Sequence, residues 1–419
     1  MIKINKLIHF ISIRKVELVV LAYILIIFIV GLTMQPVGEL VDGLGKIIKA
    51  PGVLVTDYMV VASIGPALVN AALVSLIGYS MIVLSKVPFT GYSIAAVFTL
   101  LGFALLGKNV LSILPLMFGV FIYSKIKREK FSNYIYQALF CTALSPIITQ
   151  TAFVFNWPHI VVLLFGTLVG IIISPIAKHT LNLHKGYNLY NMGFAAGLTG
   201  FAIMSFFTAF GYNVESQSIW GTDFDRILIP LTVSLFVSMV VLGLILSKEN
   251  KIHRKKILES SGVLTTDYVI ISGLGNTLIN MGSVGLIGVV YIILVNGHFN
   301  GPTVGGLFTM IGFAAFGKHA LSIVPIMIGV YLGASLSVYE INSPGPMLAA
   351  LFGTCLAPIT GKFGPIAGII AGFLHLQLVS VTGQVHGGMN LYNNGFSAGF
   401  VAMLFVAIIE GFEKFKKNA

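Results

Sequence analysis

Four charged residues stand inside or at the edge of long apolar runs, where an ionisable side chain is costly to bury. Asp57 and Lys108 recur 210 residues later as Asp267 and Lys318. Placing such a group in a membrane costs at least about 2.5 kcal/mol, so it often marks function. The lysines could hold an anionic or zwitterionic solute, and the aspartates could relay protons or cations. Alternatively, each aspartate caps the helix that follows it, and each lysine extends towards the membrane surface.

Asparagines in a second repeated motif offer neutral hydrogen-bonding chemistry. Asn188 and Asn191 stand three residues apart, as do Asn390 and Asn393, so each pair lies on one helical face. Amide groups both donate and accept hydrogen bonds, which suits a neutral polar solute. The alternative is hydrogen bonding between helices, worth about 1 kcal/mol in a membrane bundle.

A third repeated feature is an apolar stretch interrupted by glycine and proline. It opens at Thr90 in the first copy and at Asn300 and Thr303 in the second. Interrupted segments at corresponding positions of two halves are typical of re-entrant half-helices that line a transport path. Because the first amides of a half-helix can bind an anion or a carbonyl oxygen, these residues are also candidate solute ligands. Ordinary short spans packed on glycine are the alternative.

Membrane helices must position all of these residues. Hydrophobic residues make up 57% of the 419 and charged residues 9%, whereas soluble domains carry roughly 25% charged residues. Apolar runs of about 20 residues can cross a hydrocarbon core of about 30 Å, and such runs begin at Val16, Tyr58, Tyr134, His159 and Tyr187. The sequence predicts an all-α polytopic protein of the cytoplasmic, or cell inner, membrane.

The chain consists of two similar halves. Residues 52–58 recur as 262–268, and residues 186–194 recur as 388–396. We therefore predict two transmembrane repeats, 1–212 and 213–419, each with about five transmembrane helices and a re-entrant hairpin.

Loop charges predict that the second repeat is inverted. Residues 124–130 carry four basic residues, whereas the equivalent loop, 334–345, carries Glu340 and no Lys or Arg. Lys248 and its basic neighbours follow a span whose first-half equivalent leads to a mixed-charge loop. Because basic loops stay in the cytoplasm, we place both termini there. The net charge of +11 lies in such loops, so no nucleic-acid partner is expected.

Several chemistries lack their motifs. The sequence contains no Gly-x-x-x-x-Gly-Lys-Ser/Thr loop for ATP hydrolysis, no histidine pair spaced for a metal and no local nucleophile–base motif. Cys141 and Cys355 are not equivalent positions, so a disulfide is not expected. We expect neither an enzyme nor a cofactor or metal. The expected partners are a small polar solute or ion and the lipid bilayer, and a homo-oligomer remains open.

The repeated elements resemble those of a known family. Thr-Asp-Tyr, Phe-Thr-x-x-Gly-Phe-Ala-x-x-Gly-Lys and Asn-Leu-Tyr-Asn-x-Gly-Phe resemble the bacterial membrane family catalogued as domain of unknown function 1576. The plan of five spans and a re-entrant segment also resembles, more remotely, that of urea transporters. That resemblance implies a half-helix opening at 89–91 and at 299–301, and pore-lining elements at 187–193 and 389–395.

Three functions follow as hypotheses. The first is facilitated or channel-like passage of a small polar solute through a site at the repeat interface. The second is a proton- or cation-coupled secondary transporter of an anionic metabolite, with Lys108 and Lys318 at the substrate and Asp57 and Asp267 as coupling residues. The third is an intramembrane enzyme or sensor. We favour the first.

Overall fold

The described part of the chain is almost entirely helical. The computed structural model describes residues 2–215, 217–247, 251–263 and 266–418, so Lys248 and residues 264 and 265 of the repeated motif lie outside it. The helices of the first half are α1 (Ile2–Met34), α2 (Val37–Lys49), α3 (Tyr58–Ala62), α4 (Ile64–Leu84), α5 (Gly91–Phe103), α6 (Val110–Ile126), α7 (Ile135–Phe140), α8 (Ser145–Thr149), α9 (His159–His184) and α10 (Asn191–Ala209). Those of the second half are α11 (Asp225–Leu246), α12 (Lys251–Leu258), α13 (Tyr268–Leu294), α14 (Gly301–Phe313), α15 (Ala320–Ser335), α16 (Pro344–Phe352), α17 (Ala357–Phe363), α18 (Pro365–Val385) and α19 (Asn393–Asn418).

Within these ranges, nine helical segments are long and apolar enough to cross a membrane. Five lie in the first half and four in the second, and the apolar stretch Asn393–Ile409 is the shorter equivalent of α10. The all-α polytopic fold with about five spans per repeat is therefore confirmed. The choice of membrane and the cytoplasmic position of the termini stay predictions.

The interrupted segments form pairs of short helices joined by a sharp turn. α5 and α14 each contain 13 residues, which gives about 20 Å of helix and falls short of a hydrocarbon core of about 30 Å. Gly107 and Gly317 stand in the two turns with φ of 150° and 89°, a conformation that favours glycine. These lengths fit a hairpin in each half. Re-entry into the membrane stays a prediction.

The two halves pack about a pseudo-two-fold axis that passes between α5 and α14. A Cβ atom at Gly102 would meet the carbonyl oxygen of Gly305, and one at Gly305 would meet the carbonyl oxygen of Gly102. Gly91, which begins α5, lies against Ala315, just beyond the end of α14, and the reciprocal contact closes the other end of the pair. These equivalent helices therefore run in opposite directions, which confirms the inverted relation of the repeats.

Three segments differ from the predicted spans. The span expected from Tyr58 is broken at Ser63, where φ is 78°, and Gly273 makes the same break in α13. The span expected from Tyr134 is a chain of short helices interrupted by a 3₁₀ turn at Cys141–Leu144. The loop placed outside the membrane contains α2, whose buried face includes Leu40. Period and composition predict a span but not the points at which tertiary contacts interrupt it.

The close crossing of α5 and α14 predicts a large effect of one methyl group. Gly102→Ala should lower the free energy of unfolding by about 1–3 kcal/mol, because a Cβ there overlaps the backbone of Gly305. Gly45→Ala in α2 is the control, since no atom of the described residues lies within 4 Å of its Cβ position and alanine favours the helix. Unfolding of the purified protein in mixed micelles with SDS measures both. Equal stability of the two variants would contradict the crossing.

Candidate functional site

The repeated aspartates cap helices of both repeats. Asp57 accepts hydrogen bonds from the backbone N–H of Met59 in its own repeat (N···O 2.9 Å) and of Gly301, which begins α14 in the other repeat (3.2 Å). Asp267 accepts one from the N–H of Gly91, which begins α5 (3.0 Å). Both carboxylates are buried. The capping alternative is therefore confirmed, and each cap extends to a half-helix of the opposite repeat.

These caps occupy the amide groups that a solute anion could have used. A helix start exposes several unpaired N–H groups and a partial positive charge. At α5 and α14, carboxylates of the protein already fill that position. A coupling role for Asp57 and Asp267 stays a prediction.

The two lysines are enclosed and reach across the repeat boundary. Lys108 Nζ donates to Tyr392 Oη (2.5 Å) and to Thr142 Oγ1 (2.8 Å). It also lies 4.4 Å from the centroid of the Tyr392 ring. The side chain has 0% exposure, so the alternative in which it extends to the membrane surface is wrong.

Lys318 repeats this arrangement in the second half. Its Nζ donates to Tyr190 Oη (2.7 Å) and to Thr354 Oγ1 (2.8 Å), and it lies 4.5 Å from the centroid of the Tyr190 ring. Its side chain is also 0% exposed. Among the described residues, the side-chain contacts of both ammonium groups include hydroxyl groups and aromatic rings. Each lysine thus takes its threonine from its own repeat and its tyrosine from the other.

Asn188 and Asn390 hold these tyrosines in place. The Nδ2 of Asn188 donates to the carbonyl oxygen of Gly395 (2.9 Å), and its Oδ1 accepts from the N–H of Tyr190 (2.9 Å). Asn390 makes the equivalent pair of bonds to Gly193 and Tyr392, at 3.2 and 3.0 Å. Both asparagines lie in loops, since α10 begins at Asn191 and α19 at Asn393, so the prediction that each pair shares one helical face is wrong. Their bonds join a loop of one repeat to a helix of the other and are hydrogen bonds within the bundle.

Asn191 and Asn393 each join a buried histidine. Asn191 Oδ1 lies 2.9 Å from His184 Nε2 and accepts from Thr180 Oγ1 at 2.9 Å. Asn393 makes the same contacts with His386 and Thr382 in the second repeat. His184 stands in the last turn of α9.

Three further predicted ligands cap the half-helices. Thr90 Oγ1 accepts from the N–H of Tyr92 (3.3 Å) at the start of α5. Asn300 Oδ1 accepts from the N–H of Thr303 (3.0 Å) at the start of α14, and Thr303 Oγ1 accepts from the N–H of Asn300 (2.8 Å). These reciprocal bonds form a capping box at each hairpin.

A cavity of about 300 Å³ lies between the two halves, next to the first turn of α10. Its inner end is lined by three pairs of equivalent residues, Thr99 with Thr309, Phe103 with Phe313, and Tyr190 with Tyr392. Equivalent residues of the two halves meet only near the pseudo-two-fold axis, so the cavity ends on that axis. The two tyrosines that bind the lysines form part of its wall.

The cavity opens on one side of the molecule. Its mouth lies beside the exposed side chains of Asn133 and Lys178. Gln137 lines the cavity and is partly exposed, whereas the equivalent residue of the second repeat, Ala349, is completely buried. The open side is the one that carries the basic loop after α6, which loop charge predicts to be cytoplasmic.

Comparison with known proteins places this architecture in a family. The chain matches the family profile described as Protein of unknown function (DUF1576) over residues 37–209 and 247–411. The chain is a member of the DUF1576 family. No curated protein and no solved structure shows a significant match to the chain. The two matched stretches lie one in each half of the DUF1576 chain, while the repeat boundary at 212/213 and the resemblance to urea transporters stay predictions.

Among the predicted solute ligands, Asn191 lines the cavity of this DUF1576 protein. The others make hydrogen bonds within the protein, and they are Asn188, Asn390, Asn393, Lys108, Lys318, Thr90, Asn300 and Thr303. Direct solute binding stays a prediction for all nine.

Sequence reasoning missed the hydroxyl partners of the lysines. Tyr190 and Tyr392 recur inside the Asn-Leu-Tyr-Asn element, and Thr142 and Thr354 recur 212 residues apart. Repetition was therefore the available signal for all four. Gln137 carried no such signal in the DUF1576 chain, because its equivalent is alanine.

The buried caps predict that an aspartate is needed for stability. Asp57→Asn should lower the free energy of unfolding by about 1–3 kcal/mol, because one oxygen that accepts from Gly221 or Gly301 becomes a donor. Asp42→Asn is the control, since Asp42 is exposed and pairs with Lys46 on the surface of α2. Unfolding with SDS in mixed micelles measures both. Unchanged stability of Asp57→Asn together with lost proton dependence of uptake would support the coupling role instead.

Proposed function

We propose that this protein carries a small polar solute across the membrane through the cavity on the pseudo-two-fold axis. The supporting observation is that equivalent residues of two oppositely directed repeats form the inner end of that cavity. A site on such an axis can be exposed to one membrane face when the repeats move in one direction and to the other face when they make the equivalent movement in the opposite direction. Facilitated passage without chemical change of the solute is the function that this geometry supports best.

The wall chemistry favours a polar solute without a net charge. Thr99, Thr309, Tyr190 and Tyr392 line the inner end among aromatic rings, and their hydroxyl groups also make hydrogen bonds within the protein. None of the described residues that line the cavity is acidic. Hydroxyl and amide groups bind neutral solutes without the cost of desolvating a charge.

The buried lysines favour a second candidate, the coupled transport of an anionic metabolite. Lys108 and Lys318 stand behind the tyrosines of the wall, and their side-chain contacts among described residues include hydroxyl groups and rings. An anion in the cavity would supply a negative charge near both. In this function Asp57 and Asp267 would couple protons or cations. Uptake of an anion that needs an imposed proton gradient and is lost in Lys108→Gln would favour it over the first candidate.

Two-sided access to the cavity tests transport without knowledge of the solute. Thr99→Cys and Thr309→Cys place a thiol at the inner end, whereas the native Cys141 and Cys355 are completely buried and are not among the described residues that line the cavity. A membrane-impermeant thiol reagent should modify both variants in intact cells and in inverted vesicles, because a transport site is exposed to each face in turn. The unsubstituted protein should stay unmodified in both preparations.

A cysteine at an exposed loop position provides the matched control. Lys127→Cys, in the basic loop after α6, should react in inverted vesicles and not in intact cells. If the two cavity cysteines react from one face in the same way as this control, transport is contradicted and a sensor or enzyme becomes the better account.

A further inference from the structure

We infer that the solute is a small planar ring that carries an uncharged cyclic amide, with adjacent hydrogen-bond donor and acceptor atoms. This inference rests on the proposed transport function and assigns a chemical class to its cavity. Three features of the cavity wall support this inference. They are a continuous strip of aromatic rings, an amide group whose oxygen has no hydrogen-bond partner among the described residues, and an inner end without a charged side chain among those residues.

Aromatic rings follow the cavity from its outer part to the axis. The ring of Tyr136 lies 4.5 Å from that of Tyr92, and Tyr92 lies 5.7 Å from Phe140. Phe140 lies 6.0 Å from Phe313, which in turn lies 4.6 Å from Tyr190. These distances are in the range of favourable ring contacts. All five of these residues line the cavity, so a flat solute would meet aromatic side chains from the outer part to the axis.

Gln137 supplies the polar recognition in the same cavity. Its Oε1 is buried and lacks a hydrogen-bond partner among the described residues. A buried acceptor without a partner is costly, so it points to a ligand that donates to it. The amide of Gln137 carries a donor nitrogen beside that oxygen. A cyclic amide, with N–H next to C=O, presents the complementary pair.

The charges around the cavity favour a neutral ring. Lys178 is exposed at the mouth, and no other charged residue is among the described residues of the wall. The ammonium groups of Lys108 and Lys318 are directed to tyrosine and threonine oxygens behind the wall. A cation would find no carboxylate here, and an anion would have to displace these hydrogen bonds to reach a lysine.

The cavity size fits one or two rings. Its volume is about 300 Å³, and a dry cavity of about 150 Å³ is enough for benzene in another protein. The cavity therefore has room for the ring of the proposed solute.

Five related probes separate the elements of this inference. Uracil is the planar cyclic amide, dihydrouracil has the same polar groups on a puckered ring, and 1,3-dimethyluracil lacks the N–H donors. Orotate adds a negative charge, and urea keeps the amide without the ring. Radiolabelled uracil should bind the purified protein in lipid nanodiscs. The other four should compete at least about tenfold more weakly, which is the effect of losing about one hydrogen bond or equivalent contact.

Substitution of the amide provides the residue-level test. Gln137→Leu should weaken uracil binding about tenfold and should abolish the preference for uracil over 1,3-dimethyluracil. Gln384→Leu, at an exposed position near the end of α18, is the matched control and should bind uracil as the unsubstituted protein does.

The outcomes distinguish this inference from the proposed function. If no probe binds, or if urea or orotate binds more tightly than uracil, the cyclic-amide class is wrong. In that case, labelling of the cavity cysteines from both faces would leave the transport function standing. Labelling from one face would end both proposals together.

Discussion

Each half of this protein provides a tyrosine hydroxyl that accepts a hydrogen bond from a buried lysine of the other half. The rest of the architecture is arranged around these two bonds. An ammonium group enclosed in a membrane protein is stable only where fixed oxygens and ring faces replace water. Lys108 finds them in Thr142 and Tyr392, and Lys318 finds them in Thr354 and Tyr190. Each threonine stands in a 3₁₀ turn that separates two short α-helices. These two breaks in regular structure thus occur where the buried lysines obtain their threonine partners.

The aspartate caps meet the same requirement at the helix starts, where buried polar groups also need partners within the protein. A half-helix that begins away from water leaves its first N–H groups without partners unless another part of the protein supplies an acceptor. Asp57 and Asp267 supply it across the repeat boundary, to α14 and to α5. Lysine bonds and aspartate caps together fix the crossing of the two halves. The cavity lies beside this crossing, with a symmetric inner end and an entrance lined by Gln137, which the second half does not repeat.

The sequence predicts the features that duplication or composition makes visible. Apolar runs predict the spans, and the opposed charges of residues 124–130 and 334–345 predict the inversion. The Thr-Asp-Tyr element predicts a helix cap, and the structure bears this out at Asp57. The bonds from that cap to the opposite repeat could not be predicted, because they join Asp57 to Gly221 and Gly301, which lie 164 and 244 positions away, in contacts that only the folded pair creates. For the same reason, a repeated lysine predicts a functional charge but not the tyrosine that receives it.

The residues of the cavity wall could not be predicted from the sequence for a different reason. A comparison of the two halves identifies the residues that both halves share, and these include the residues at the pseudo-two-fold axis. Gln137 and Tyr136 are replaced by alanine and leucine in the second half, so a search for repeated residues removes them. In the proposed transport function, a substrate would meet one entrance at a time, so residues that set the specificity of an entrance would not need to be duplicated.

A double-mutant cycle tests most directly whether the lysine–tyrosine bonds join the two halves. Lys108→Met and Tyr392→Phe are combined, and unfolding free energies are measured in mixed micelles with SDS. The paired changes should show a coupling energy of about 0.5–3 kcal/mol, whereas Lys108→Met with Tyr190→Phe, whose hydroxyl binds Lys318, should be additive to within about 0.5 kcal/mol. Additive effects of Lys108→Met and Tyr392→Phe would contradict the account.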